Sequence, residues 1–179
     1  MRVSKKQAAD NRERVLAQAT ALFRERGFEG VGLAEVMKAA GLTHGGFYGQ
    51  FESKEALAAE ACARAFAEAA DRMGAVEPAA YLSPAHRDRA GAGCPAAAWA
   101  IDAERAGPAV RAAFAEGLER LVEAMARAMA GEGASDRDAA LRTLASLVGG
   151  LILARSVADA NPDLSDRILA AARDGLGTA

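Results

Sequence analysis

The 179-residue chain reads as all-α, and three observations predict it. Alanine dominates an apolar share of 51%, while aromatic residues supply only 5%, a balance that favours helices over sheets. Apolar residues recur three and four apart over long stretches, as amphipathic helices require. Glycine and proline stand at the ends of those stretches, where helices stop and start.

In chain order, residues 1–9 form a polar arm holding Arg2, Lys5 and Lys6. A first helix is expected from Asp10 to Arg26. Val15, Leu16, Ala19, Leu22 and Phe23 form its apolar stripe, Gly27 ends it, and Phe28 turns inward. A second helix spans Leu33 to Ala40, with Leu33, Val36 and Met37 on the core. Gly32 is its weak cap, with Glu35 three residues on. Gly41 supplies a tight turn.

The next stretch, GLTHGGFYGQFESKEAL from Gly41 to Leu57, is the least ordinary. A short helix is expected from Thr43, its N-cap, to Gln50. Gly45 and Gly46 in its first turn each cost about 1 kcal/mol relative to alanine. Steps of about 100° place His44, Gly45, Tyr48 and Gly49 on one face. Phe47 and Phe51 fall on another, where they can anchor a core. A face so bare lets a large partner approach the backbone. Ser53 then caps another helix whose first residue is Lys54. A cation there opposes the helix dipole, but with the helix N-terminus it makes a site for phosphate.

In these residues the chain resembles the TetR (tetracycline-repressor-like) family of transcription regulators. The likeness runs from about Arg12 to Leu57 and centres on Phe-Tyr-x-x-Phe-x-Ser-Lys-Glu-x-Leu. It implies a helix-turn-helix DNA-binding domain over 1–52 and a helical ligand-binding and dimerisation domain over 53–179. A helix over 53–73 would link them. The short helix would be the recognition helix, with Thr43, Tyr48 and Lys54 on DNA phosphates and His44 and the Gly45 backbone nearest the base edges. Lys5 and Lys6 belong either to a disordered tail or to an arm that touches DNA. Val31 and Gly32 stand where the family usually places hydroxyl residues, so a side-chain phosphate contact is not expected there.

The linking helix carries Leu57, Ala58, Ala61, Cys62, Ala65, Phe66, Ala69 and Met73 on adjoining ridges, so Cys62 reads as a buried, inert thiol. Gly74 to Pro78 closes it, and Pro78 to Gly93 is a loop or a broken short helix. Further helices start at Pro95, with Cys94 just outside, and at Pro108. The second holds Val110, Phe114, Leu118, Leu121, Val122, Met125 and Met129 at helical spacing. GEGAS breaks it, and Ser135 with Asp138 opens a helix to about Asp159. That helix contains LASLVGGLILA, apolar almost all round and threaded with small residues. Asn161-Pro162 leads into the last helix, with Leu164, Ile168, Ala171, Ala172 and Leu176. The resemblance implies that the last two long helices pair with their copies in a homodimer. Ser146, Gly149, Gly150, Leu153 and Ile168 are the candidate contacts.

Charge divides unevenly. Residues 1–56 hold nine Lys and Arg against seven Asp and Glu, and all four lysines; the remainder holds thirteen against seventeen. A mildly basic head on an acidic body suits a head that meets nucleic acid. No apolar run follows the charged N-terminus, so no signal peptide is expected. The run Leu147 to Ala154 is far short of a membrane span, and two cysteines make no disulfide framework. The expected location is cytoplasmic, with no membrane partner.

Enzymatic chemistry would have to rest on His86, Asp88, Cys94 and Asp102, since His44 and His86 are the only histidines. No phosphate loop or metal-ligand spacing occurs, so neither catalytic residues, a metal nor a cofactor is expected. Phe66, Cys94, Trp99, Phe114 and Met125 are candidates to line a pocket for a small-molecule effector. The favoured function is a ligand-released repressor on a pseudo-palindromic operator. Alternatives are an oxidant or electrophile sensor acting through Cys94, which can be activated at a helix N-terminus, and a helical protein-binding adaptor.

Overall fold

The computed structural model describes residues 4–73, 77–130 and 134–176. They form nine α-helices and two 3-10 turns, with no strand among the described residues. Helix α1 spans Lys5–Arg26, longer than expected at its start because the Ser4 hydroxyl accepts the Gln7 N–H as an N-cap. Lys5 and Lys6 therefore lie in the first turn of α1 and not in a free arm. Helix α2, Leu33–Ala39, starts at Gly32 without a side-chain cap, and Glu35 pairs instead with Arg26. Gly41, at φ 70°, makes the expected turn in the left-handed region that glycine tolerates.

The expected helix from Thr43 to Gln50 is shorter and tighter. A 3-10 turn covers His44–Gly46, then bends carry the chain to Phe51. Thr43 makes no side-chain capping bond. The paired glycines explain the difference, because each removes helix propensity where only a few residues could nucleate a turn. Phe47 and Phe51 are buried as expected, with rings 5.8 Å apart, and Arg12 lies 4.5 Å above Phe51. The same guanidinium donates to the Gln50 carbonyl and to both Glu60 oxygens, tying α1 to the turn and to the next helix.

That helix, α3 (Lys54–Asp71), begins at Ser53, whose hydroxyl accepts the Ala56 N–H. It packs on α1 and, most extensively, on α7 (Pro108–Ala130). Gly117 of α7 faces Phe66 so closely that an added Cβ would strike the ring. Cys62 is fully buried in α3, and burial pushes its thiol up to about 12, as an inert core cysteine requires.

The stretch expected to be irregular folds as two single-turn helices, α4 (Pro78–Tyr81) and α5 (Pro84–Arg87), then a 3-10 turn at Ala90–Ala92. Helix α6, Pro95–Arg105, follows. Trp99 on α6 is fully buried, stacks on Phe28 and donates its indole N–H to the Phe23 carbonyl of α1. Helix α8 spans Arg137–Val157, and its cap is Asp136, which accepts the Ala139 N–H; Ser135 does not cap it. Helix α9, Pro162–Leu176, lies along α8. The proposed stops at Gly74 and at 131–133, and Arg2 in the arm, lie outside the described residues.

By length and composition alone, α8 could cross a membrane. In the fold it packs on α6, α7 and α9, and its buried side chains, among them Leu144, Leu147 and Leu151, complete the body's core.

Candidate DNA-contact surface and effector cavity

The 3-10 turn presents His44, Gly45 and Tyr48 to solvent over the buried Phe47. Tyr48 is 68% exposed, its ring edge-on to Phe47. A Cβ on Gly45 would meet nothing within 4 Å, and the backbone there is not in the positive-φ region. Neither packing nor conformation demands glycine at that position. What a bare Gly45 provides is close access to the backbone. Lys54 stands at the N-terminus of α3, 3.7 Å from the Glu29 carboxylate. Glu29 is almost fully exposed, so that ion pair is weak and a phosphate could replace it.

A cavity of about 280 Å³ opens between the end of α3, the segment 80–94 and α7. Ala69, Met73 and Leu121 make its apolar wall, and Arg72, Tyr81, His86, Gly93 and Cys94 its polar one. A second cavity, of about 200 Å³, shares Met73, Tyr81 and Cys94 and runs on toward Met125, Leu144 and Leu147. Of the candidates from sequence, Cys94 lines both cavities and Met125 the second. Phe114 lines a separate apolar cavity of about 210 Å³ with Ala96, Leu118 and Val148.

Phe66 and Trp99 line none of these cavities. Each is fully buried, one against Phe114 and the other between Phe28 and the Phe23 carbonyl, so both are core residues. Sequence reasoning missed Arg72, Tyr81 and His86 as lining residues. Their signal was weak, because they come from a helix end and two single-turn helices without periodicity.

Arginines hold the cavity wall by donating to carbonyls. Arg155 of α8 donates to the His86 and Arg87 carbonyls, and Arg173 of α9 to that of Leu82. Arg87 reaches Ser165 and Asp166 on α9. Arg24 of α1 is buried and donates to the Gly93 carbonyl, with Glu68 3.7 Å away. Burial depresses the pKa of both Arg24 and Arg155 below the usual guanidinium value.

His86 Nδ1 lies 2.7 Å from the Tyr81 carbonyl, and its Nε2 3.1 Å from the Cys94 amide nitrogen. A carbonyl only accepts and an amide N–H only donates. The ring is therefore the neutral tautomer protonated at Nδ1. Both nitrogens are committed to the backbone, so no Cys94–His86 catalytic dyad is assembled. Asp88 is turned to solvent against Arg87, and Asp102 lies beside Gly27. Among the described residues, no three His, Cys, Asp or Glu side chains gather as a metal site.

On α8, Ser146 and Leu153 are exposed, and a Cβ on Gly149 would meet nothing within 4 Å. Gly150 is different. It is buried against Ala172 of α9 and Leu82, so it serves packing within the chain and is not an exposed contact residue. Ile168 is half-buried against the same core.

Residues 15–61 match the family described as bacterial regulatory proteins, tetR family. The HTH-type transcriptional repressor NemR of Escherichia coli strain K12 is 41% identical over 64 residues, 36% of this chain. The matched segment, residues 15–61, is that of the tetR family. Beyond the matched segment the likeness is structural. The NemR match spans 32% of that relative's length. A TetR transcriptional regulator from Chloroflexus aurantiacus superposes with a TM-score of 0.68 at 29% identity, over 97% of this chain and 95% of that one. The reduced form of E. coli NemR superposes with a TM-score of 0.72 at 22% identity, over 94% of this chain and 96% of that one, which shows a shared fold.

Proposed function

We propose that this chain is a cytoplasmic, ligand-responsive repressor of the tetR family that binds a pseudo-palindromic operator as a homodimer. Residues 1–52 act as the DNA-binding domain and 53–179 as the effector-binding and dimerisation domain. The observation that carries the reading is the bare surface of His44, Gly45 and Tyr48, where Gly45 serves no need of the fold. Thr43, Tyr48 and Lys54 hold phosphates, while His44 and the Gly45 backbone meet base edges. Lys5 and Lys6, in the first turn of α1, add phosphate contacts.

The body pairs through the row of exposed Ser146 and Leu153 and half-buried Gly149 on α8, continued by Leu164 on α9. The effector enters the cavity walled by Tyr81 and Cys94. Helix α3 joins the two sites, with Lys54 at one end and Ala69 near the other, and Met73 just beyond it. The reading includes no catalysis.

The test is fluorescence anisotropy on duplexes selected from random DNA. Lys54→Ala and Tyr48→Phe are expected to weaken binding to every sequence alike, because phosphate contacts carry no base information. His44→Ala is expected to relax sequence preference. Wild-type affinity in the first two variants would refute their roles.

A second reading has its own support. Cys94 is half-buried at the N-terminus of α6 and lines both cavities. Those features suit a thiol that reacts with an oxidant or electrophile. On that reading mild peroxide releases the operator in wild type and not in Cys94→Ser; equal release in both would remove Cys94 from sensing.

A further inference from the structure

The larger cavity combines three features that together define a ligand chemistry. First, Tyr81 is only 8% exposed, lines both cavities, and its hydroxyl has no hydrogen-bonded nitrogen or oxygen partner among the described residues. The nearby Cys94 thiol is at best a weak substitute. A buried hydroxyl left in that state is costly unless something else completes it. The neighbouring imidazole cannot, since both His86 nitrogens are committed to the backbone.

Second, the charge is one-sided. Arg72 lines the cavity and forms no ion pair among the described residues, and no carboxylate lines the cavity with it. Behind the Gly93 wall, Arg155 is half-buried and bonded only to carbonyl oxygens. Arg24, on the other side of Gly93, has its nearest carboxylate, Glu68, at 3.7 Å. Asp88, the other acid near Arg155, points outward to Arg87. A half-buried cation without a counter-ion is unfavourable. An anion in the cavity would relieve Arg155, whereas Arg24 already has Glu68 and the exposed Arg72 would gain a partner.

Third, the space beyond the polar end is apolar. Ala69, Met73 and Leu121 lead into the adjoining cavity under Met125, Leu144 and Leu147.

We propose that this cavity binds a small organic carboxylate with an apolar body, its carboxylate held by Arg72 and the Tyr81 hydroxyl and its body lying toward Met125. The proposal rests on the reading of the chain as effector-responsive and names the effector class. Gly93 fits the site too, because a Cβ there would lie 2.9 Å from His86 Nε2 and 3.0 Å from an Arg155 nitrogen. Any larger residue would push the wall into the anion's place.

Calorimetric titration of the full chain with 4-phenylbutyrate and with its neutral amide is the test. The acid should bind saturably, one per chain, and the amide about tenfold or more weaker, as expected when a charge-assisted pair is lost. Arg72→Gln should abolish that preference. Tyr81→Phe should weaken the acid about three- to tenfold with the melting temperature held, since the ring's packing is kept. Arg127→Gln, an exposed arginine on α7 away from the cavity, should change nothing. Three results would overturn the proposal: equal affinity for acid and amide, a preference that survives Arg72→Gln, or no saturable acid binding up to about 10 mM. Operator affinity separates this from the broader function. Acid binding that leaves DNA affinity unchanged keeps the site and refutes effector control. Operator release by a neutral compound, without acid binding, does the reverse.

Discussion

Around His44–Tyr48 the polar side chains stand outside an apolar floor; around Tyr81–Cys94 they stand inside an apolar shell. In the first region Phe47 and Phe51 complete the core, and His44 and Tyr48 are left in water with nothing to satisfy. In the second, Tyr81, His86, Arg24 and Arg155 are buried or half-buried, and carbonyl oxygens satisfy some of them and not others. A surface that waits for a polyanion can leave its polar groups hydrated, because the partner brings its own counter-charges and displaces ions. A site for a small molecule must instead hold unsatisfied groups out of water, and the fold bears that cost until the ligand arrives.

The largest expected effect breaks the first region from beneath. Phe47→Ala removes a fully buried ring and should cost about 3–5 kcal/mol. Its neighbour Tyr48, at 68% exposure, should change stability by no more than about 0.5 kcal/mol when replaced by alanine. DNA binding should still fall sharply in the Tyr48 variant. Chemical denaturation and anisotropy on the two proteins check this. A comparable loss of stability in both would mean that Tyr48 serves the fold.

Two adjacent glycines sharpen the contrast within the body. Gly150→Leu drives a side chain into Ala172 and Leu82 and should destabilise the chain by roughly 1–3 kcal/mol or more. Gly149→Leu meets open space and should leave the protomer folded, changing only its self-association. Thermal melting with sedimentation separates the outcomes. A Gly149→Leu protein that sediments as wild type would remove that row from the dimer contact.

The head was legible because its signals are local. Gly41, the Phe47 and Phe51 spacing and the Ser53 cap each act within four residues, and each appears in place. The short helix was the exception, because two glycines decide between an α turn and a 3-10 turn by small energies. The cavity was far less legible. Its groups come from positions 24, 72, 81, 86, 94 and 155, on elements brought together only by packing. Phe66 and Trp99 were misplaced for the same reason: periodicity marks them as inward-facing but cannot distinguish a core from a cavity wall. Gly150 likewise reads as small, and only the position of Ala172 shows which neighbour needs it small.

A smaller effect is expected where the two regions meet. The indole N–H of Trp99 donates to the Phe23 carbonyl, which also accepts the Gly27 N–H. Trp99→Phe should therefore cost only about 1 kcal/mol from the lost hydrogen bond, plus the smaller ring's lost packing. If α1 moves with the cavity wall, effector release of DNA should weaken in this variant while DNA affinity without effector stays close to wild type.

The smallest effect concerns protons at His86. Burial, with a contribution from the Arg155 charge, holds this imidazole below its ordinary pKa of 6.5, against the opposing bond to the Tyr81 carbonyl. As pH falls below about 6.5, the unfolded chain takes up a proton that the folded ring resists. The unfolded state then binds more protons, so the folded form loses stability on acidification and regains it toward pH 7. Protonation also turns Nε2 from an acceptor into a donor facing the Cys94 N–H, and that bond must break. Asp88 contributes at lower pH, because the Arg87 guanidinium holds its carboxyl below the usual carboxylate value. Hydrogen exchange at the Cys94 amide, corrected for the intrinsic pH dependence, should therefore show lost protection between about pH 6.5 and 5. His86→Gln should make the corrected protection flat over that range. Protection that holds in wild type at a pH where NMR shows the His86 ring protonated would show that the neutral ring does not fasten this wall.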